Sequence, residues 1–288
     1  KMIASNYHTH SLFCDGNNTI EEMVQAAIDA QLKQIGVSSH LTLPYKNDWT
    51  MKADHIKAYL DEIARVKKVY QDKIEVLAGA EIDFFMDKKI LNSNSPLILP
   101  HLDYAIFSIH AVSSENDDYS IDYTQDLFMN AVNRYYNGSV KALVLDYYES
   151  IAKMAKQVSG VIPAIIGHID IIKKLNDGNV LFNEHDQWYQ DAMLRALQAI
   201  KKTHCILEVN TAYHENEDGQ YPSDTFFEYI QKNDIPITIN TDAHHAEDII
   251  RGYAKTEKML LSKGIKKMMI LKNKQWCVLH LGESHEKI

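Results

Sequence analysis

The sequence predicts an α/β fold built on a parallel sheet, and three observations carry that expectation. Short apolar runs alternate with longer amphipathic ones, the pattern of parallel strands joined by crossover helices. The 288 residues are 45% hydrophobic, enough for a substantial core. Nearly every apolar run closes, on its C-terminal side, with a histidine or a carboxylate, and in a closed β/α barrel those ends share one rim.

The first run closes in Tyr7-His8-Thr9-His10, followed by Asp15-Gly16. On a strand over 5–10, His8 and His10 project to one face with Cβ atoms roughly 7 Å apart, close enough for two ring nitrogens to share an ion. On a helix they would lie about 200° apart around the axis. Thr19-x-x-Glu22 is a capping box that starts a helix reaching about Leu32. A strand over 34–40 ends in His40, a loop covers 41–52, and 53–70 is a second amphipathic helix. The run 75–81 is a strand ending in Glu81. Residues 82–101 read as loop, with breaks at Ser95-Pro96 and Leu99-Pro100. A strand over 104–110 ends in His110. The long connection 111–160 reads as a helical insert of two helices split at Asn137-Gly138, a length typical of a lid or binding element. A strand over 161–168 ends in His168, a helix covers 184–202, and Cys205–Asn210 is a sixth strand. After a loop and a short helix over 223–232, the strand 235–242 ends in Asp242, followed by His244. A helix over 246–263 and one short strand near 269–271 complete the chain. With no repeats and no linker, residues 1–288 read as a single domain.

Composition narrows the partners. The formal net charge is −9 with only four arginines, unlike a protein that grips nucleic-acid phosphates. Three scattered cysteines imply no disulfide framework, and Lys1–Ser5 lacks the apolar run of a signal peptide, so a cytoplasmic location is expected. No window is apolar enough to span a membrane.

The strand-end residues form the candidate site: His8, His10, Asp15, His40, Glu81, His110, His168, Asp242 and His244. Imidazole nitrogens mixed with carboxylate oxygens, and no thiolate, suit Zn, Mn or Fe. Nine candidates exceed the four of a closed structural zinc site and suggest two or three ions with a bridging carboxylate. Three divalent ions bring about +6 and Asp15, Glu81 and Asp242 return about −3, leaving a site that attracts a phosphate dianion despite the acidic exterior. Phosphate-binding glycine loops and a G-x-S-x-G elbow are absent from the sequence.

These motifs, His8-x-His10 with Asp15-Gly16, His40, Gly79-x-Glu81, Ser108-Ile109-His110, Gly167-His168-x-Asp170 and Asp242-Ala243-His244, resemble the PHP (polymerase and histidinol phosphatase) family in the expected order across residues 8–244. The insert after His110 and the Asn273-Lys274-x-Trp276 tail resemble the histidinol-phosphate phosphatases of that family. The resemblance implies a distorted (β/α)7 barrel with a trinuclear centre at its C-terminal rim. One ion would be held by His8, His10, Glu81 and Asp242, a second by Glu81, His110 and His168, and a third by Asp15, His40 and His244. It implies a metal-dependent phosphomonoesterase of histidine biosynthesis acting on L-histidinol phosphate, with Asp242 and His244 as catalytic residues. The alternatives are a phosphoesterase for another small ester or nucleotide, and a non-catalytic module. Related phosphatases often carry a glycine and an arginine where this chain reads Ala212-Tyr213-His214, so Arg251, His214 or a residue of the insert would contact substrate in that arginine's place. Glu208 and Asn210 alternate to one face and end the sixth strand, where contact with substrate, support of the metal ligands and structural hydrogen bonding are all open to them.

Overall fold

A computed structural model of the chain describes residues 3–212 and 219–282. The first half runs β1 (Ser5–Asn6), α1 (Ile20–Asp29), β2 (Gln34–Val37), α2 (Ile56–Val69), β3 (Glu75–Ala78), β4 (Glu81–Phe85), β5 (Ile90–Leu91) and β6 (Ala105–Ser108). The second half runs α3 (Gln125–Tyr136), α4 (Val140–Val158), β7 (Ala164–Ile166), α5 (Gln187–Lys201), β8 (Ile206–Asn210), α6 (Phe227–Lys232), β9 (Ile237–Asn240), α7 (Tyr253–Ser262), β10 (Lys267–Lys272) and β11 (Gln275–His280).

The local signals operate as their chemistry requires. The Thr19 side chain accepts from the Glu22 N–H at 3.1 Å, and the Glu22 carboxylate accepts from the Thr19 N–H at 2.7 Å, which satisfies two donors at the start of α1. Asn137 adopts the left-handed conformation and ends α3, and Ser139 then caps α4. Each helix turns one apolar face inward: Met23, Val24 and Ala27 from α1, Tyr59, Ile63 and Val66 from α2, and Leu143, Tyr147, Ile151 and Met154 from α4 are all buried.

The parallel strands fall into two sheets, β1-β2-β3 and β5-β4-β6-β7-β8-β9, with β5 the one antiparallel member. Single parallel bridges, Thr9 to Ala243 and His40 to Glu81, link the sheets where an unbroken ladder would have closed them. The expected strand over 75–81 divides at Gly79-Ala80. Before that point it pairs with β2, and from Glu81 onward it pairs with β6. Tyr104 packs at this break: its ring occupies the space where a Cβ on Gly36 or Gly79 would lie, and its hydroxyl donates to the Tyr7 carbonyl at 2.5 Å. Glu81 therefore opens a strand rather than ending one, and part of the expected loop 82–101 is β4 and β5.

Strands are shorter than expected, and the site residues lie just beyond them. β1 stops at Asn6, so His8 and His10 sit in the segment that follows it. The tail is a full hairpin, β10 with β11, turned by Asn273 and Lys274 at positive φ. It packs against Tyr7, whose hydroxyl accepts from the Leu271 N–H at 2.9 Å. No described helix is long and apolar enough to cross a membrane.

Candidate metal centre

The local backbone brings the nine strand-end residues into one cluster. Gly16 folds back so closely that a Cβ there would overlap the Ser11 amide, which sets Asp15 beside the two histidines. Asp242 takes a left-handed φ of 54°, a conformation Asp tolerates better than most residues, and the turn it makes carries the chain on to His244.

Glu81 is fully buried and central, and its two oxygens face different sets of imidazoles. Oε2 lies 2.9 Å from His8 Nε2, 3.4 Å from His10 Nε2 and 3.2 Å from His40 Nδ1. Oε1 lies 3.1 Å from His168 Nε2 and 3.4 Å from His110 Nε2. Asp242 Oδ1 joins the first set, 3.3 Å from His8 Nε2 and 2.9 Å from His10 Nε2. Asp15 Oδ1 gathers His244 Nε2 at 3.3 Å, His40 Nε2 at 3.8 Å and His10 Nδ1 at 3.9 Å. Donor atoms within 4.8 Å of one another thus define the groups His8–His10–Glu81–Asp242, Glu81–His110–His168 and His10–Asp15–His40–His244. A further group, His40–Asp83–His110, overlaps two of these.

The electrostatics fit cations. Burial opposes charge on His8, but Asp242, Glu208 and Glu81 outweigh it and raise its pKa well above the usual imidazole range. Burial also opposes charge on His10, which Cys14 and Asp242 nonetheless bring to about 10. At His40 burial prevails over Glu81 and lowers the pKa to about 3. Burial disfavours the Glu81 and Asp242 carboxylates, yet the surrounding imidazoles, His8 foremost, hold both well below their ordinary values. Divalent ions would balance Asp15, Glu81 and Asp242 more compactly than protons on the rings. His10 Nε2 and His40 Nδ1 are buried without a hydrogen-bond partner although carboxylate oxygens lie 2.9 and 3.2 Å away. Nitrogens that approach carboxylates without bonding geometry point into the gap between them, as ligands around an ion do.

Two of the candidate substrate contacts, Glu208 and Asn210, adjoin this cluster directly. Glu208 and Asn210 are fully buried, as His8, His10 and Glu81 are. Glu208 bonds His8 Nδ1 at 2.7 Å and accepts from the His168 backbone N–H at 2.7 Å and from Asn240 Nδ2 at 2.9 Å. Asn210 Nδ2 donates to Glu208 and Asp242. The Arg251 guanidinium pairs with Asp248 at 3.1 Å and donates to the Thr241 carbonyl. His214 lies outside the described residues.

Two features escaped the sequence reading. Asp83, buried, bonds His110 Nδ1 at 2.7 Å; it lies two residues beyond Glu81 and so on the same strand face, a spacing that could have revealed it. Trp49 packs edge-on against His40 at 4.8 Å and His110 at 5.7 Å between centroids, and its N–H donates to Asp117 at 3.3 Å. No periodic pattern marks a tryptophan inside a loop.

A family model described as PHP domain matches residues 6–212. The chain is 26% identical to a histidinol-phosphatase from Bacillus subtilis (strain 168) over 264 residues, which cover 86% of this chain and 95% of that relative. Its fold is similar to that of histidinol phosphate phosphatase (HISK) from Lactococcus lactis, solved with Zn, L-histidinol and phosphate, at TM-score 0.70 and 18% identity over 96% of this chain and all of the other. It is also similar to hisK from Listeria monocytogenes, at TM-score 0.73 and 20% identity over 87% of this chain and 99% of that one.

Proposed function

The chain belongs to the PHP domain family, and from that membership we propose that it is a metal-dependent phosphomonoesterase that hydrolyses L-histidinol phosphate to L-histidinol and phosphate. The observation that carries this reading is the divided carboxylate of Glu81, one oxygen facing His8, His10 and His40 and the other facing His110 and His168. A bridging carboxylate of that kind suits a centre of more than one ion. In this reading three divalent ions occupy it: the first held by His8, His10, Glu81 and Asp242, the second by Glu81, His110 and His168, the third by Asp15, His40 and His244. Zinc, which the Lactococcus lactis protein holds, fits the imidazole and carboxylate donors, as Mn and Fe do.

When bound, such ions polarise phosphoryl oxygens and lower the pKa of water. The side chains supply the rest. The buried imidazoles and Glu81 exclude bulk water and fix the ions against one another. Asp242, ionised because the imidazoles hold its pKa down, can receive a proton from the attacking water and return it to the leaving oxygen of histidinol. His244, the least buried of the imidazoles, borders the entrance, where it can orient a phosphate oxygen. The two sheets act as one distorted seven-stranded barrel, with the His40–Glu81 and Thr9–Ala243 bridges as its seams, and residues 1–288 act as a single domain whose insert is α3 and α4.

Values of kcat/KM across a panel of phosphate esters, measured with zinc, manganese and iron, test the reading. L-Histidinol phosphate is expected to lead. Equal turnover of nucleotides or sugar phosphates would replace the substrate, and no turnover by metal-loaded protein would favour a non-catalytic module.

A further inference from the structure

Two buried carboxylates stand behind the metal-facing groups rather than among them. Asp83 Oδ1 lies 2.7 Å from His110 Nδ1, while the opposite nitrogen of that ring, Nε2, faces Glu81 and His168 at 3.4 and 3.3 Å. Glu208 Oε1 lies 2.7 Å from His8 Nδ1, while His8 Nε2 faces Glu81 and Asp242. The pattern repeats on opposite sides of Glu81: His110 belongs to the Oε1 set and His8 to the Oε2 set.

We propose, on the basis of the metal-centre reading above, that Asp83 and Glu208 are positioning residues that hold His110 and His8, on opposite sides of Glu81, as Nδ1–H tautomers with Nε2 presented to the ions. An imidazole has two nitrogens, and the one bonded to a carboxylate outside the ion-facing groups is not the one offered to a metal; Nε2 of His8 instead meets Glu81, itself a candidate ligand. A buried carboxylate is costly unless it has a partner. The Asp83 side chain has one: its other oxygen, Oδ2, is buried without a hydrogen bond, so the His110 ring is its single described hydrogen-bond partner. Glu208 does more. Besides His8 it accepts the His168 backbone N–H, so it also fixes the peptide from which the second-set ligand His168 projects. His168 Nδ1 has no partner of its own, and its ring is therefore steered through the backbone. The grouping of Asp83 with His40 and His110 admits a competing role for Asp83 as a direct ligand, and the number of bound ions separates the two roles.

The test uses the full chain and zinc alone, with zinc affinity measured by chelator competition, stoichiometry by metal analysis and imidazole tautomers by long-range 1H–15N NMR. Asp83→Ala is expected to bind as many ions at saturation as wild type, to weaken one of them about 10–100-fold, and to lose the His110 Nδ1–H signal. Asp83→Asn, whose side-chain oxygen still accepts from Nδ1–H, is expected to fall between the two, and it carries the test should the alanine variant not fold. Glu208→Gln is expected to weaken the ion that His8 holds, to disturb the second ion less through the His168 peptide, and to alter the His8 resonances. Wild-type affinity and tautomers in Asp83→Ala, or wild-type zinc affinity in Asp83→Asn, would overturn the proposal, as would loss of one whole ion at saturation, which would make Asp83 a ligand. A wild-type chain that binds no zinc would overturn both this proposal and the reading beneath it, whereas zinc binding without turnover of histidinol phosphate would overturn only the substrate.

Discussion

Asp242 Oδ1 lies 2.9 Å from His10 Nε2, across the junction where the segment after β1 meets the segment after β9. That contact joins residues far apart in the chain, and in the function proposed above Asp242 serves both as an ion ligand and as a proton carrier. Asp242→Asn keeps the shape and removes the charge. It is expected to lower kcat more than about 100-fold and, at full metal occupancy, to change the pH–rate profile. A profile that keeps its wild-type limbs would rule out the proton role.

The titrating groups predict how the metal-free protein responds to pH. His8, His10 and His110 have folded pKa values raised above the unfolded value of about 6.5, His10 to about 10. Their stabilisation is complete below about pH 6.5 and is lost as pH rises toward those folded values. His40, lowered to about 3, stabilises above about pH 6.5 and loses that contribution as pH falls. Glu81 and Asp242, both depressed, stabilise above about pH 4 and lose their contribution below it. With chelator present, Tm is therefore expected to peak near about pH 6.5 and to fall by pH 9. Saturating zinc, which needs neutral imidazoles, should flatten the alkaline limb. Thermal melts across this range check both statements.

Gly79 has a steric reason for lacking a side chain. A methyl there would collide with the Tyr104 ring, whose hydroxyl is anchored on the Tyr7 carbonyl. Gly79→Ala is expected to destabilise the protein by about 1–3 kcal/mol, measured by denaturant unfolding. A change below about 0.5 kcal/mol would mean that Tyr104 moves aside at little cost.

Trp49 walls the centre beside His40 and His110 without ligating anything. Trp49→Ala should leave zinc stoichiometry unchanged and raise KM by about 2–10-fold, the equivalent of one lost aromatic contact. An unaltered KM would place the substrate on the opposite side of the mouth.

The sequence alone determined the alternation of strands and helices, the capping box at Thr19 and Glu22, the helix break at Asn137, and the nine histidine and carboxylate positions at strand ends. These depend on local chemistry: periodicity, caps, turns and the side to which a short segment points. Tertiary structure decided that the run 75–81 changes partner at Gly79, where the ring of Tyr104, 25 residues away, packs against it. It decided that the tail pairs as a hairpin under Tyr7, and that Glu208 and Asn210 hydrogen-bond to His8 and Asp242. It also decided which oxygen of Glu81 meets which imidazole. The physical reason is that a strand's direction can be read from its own residues, whereas the partner waiting at its end comes from elsewhere in the chain and exists only once the sheets have packed.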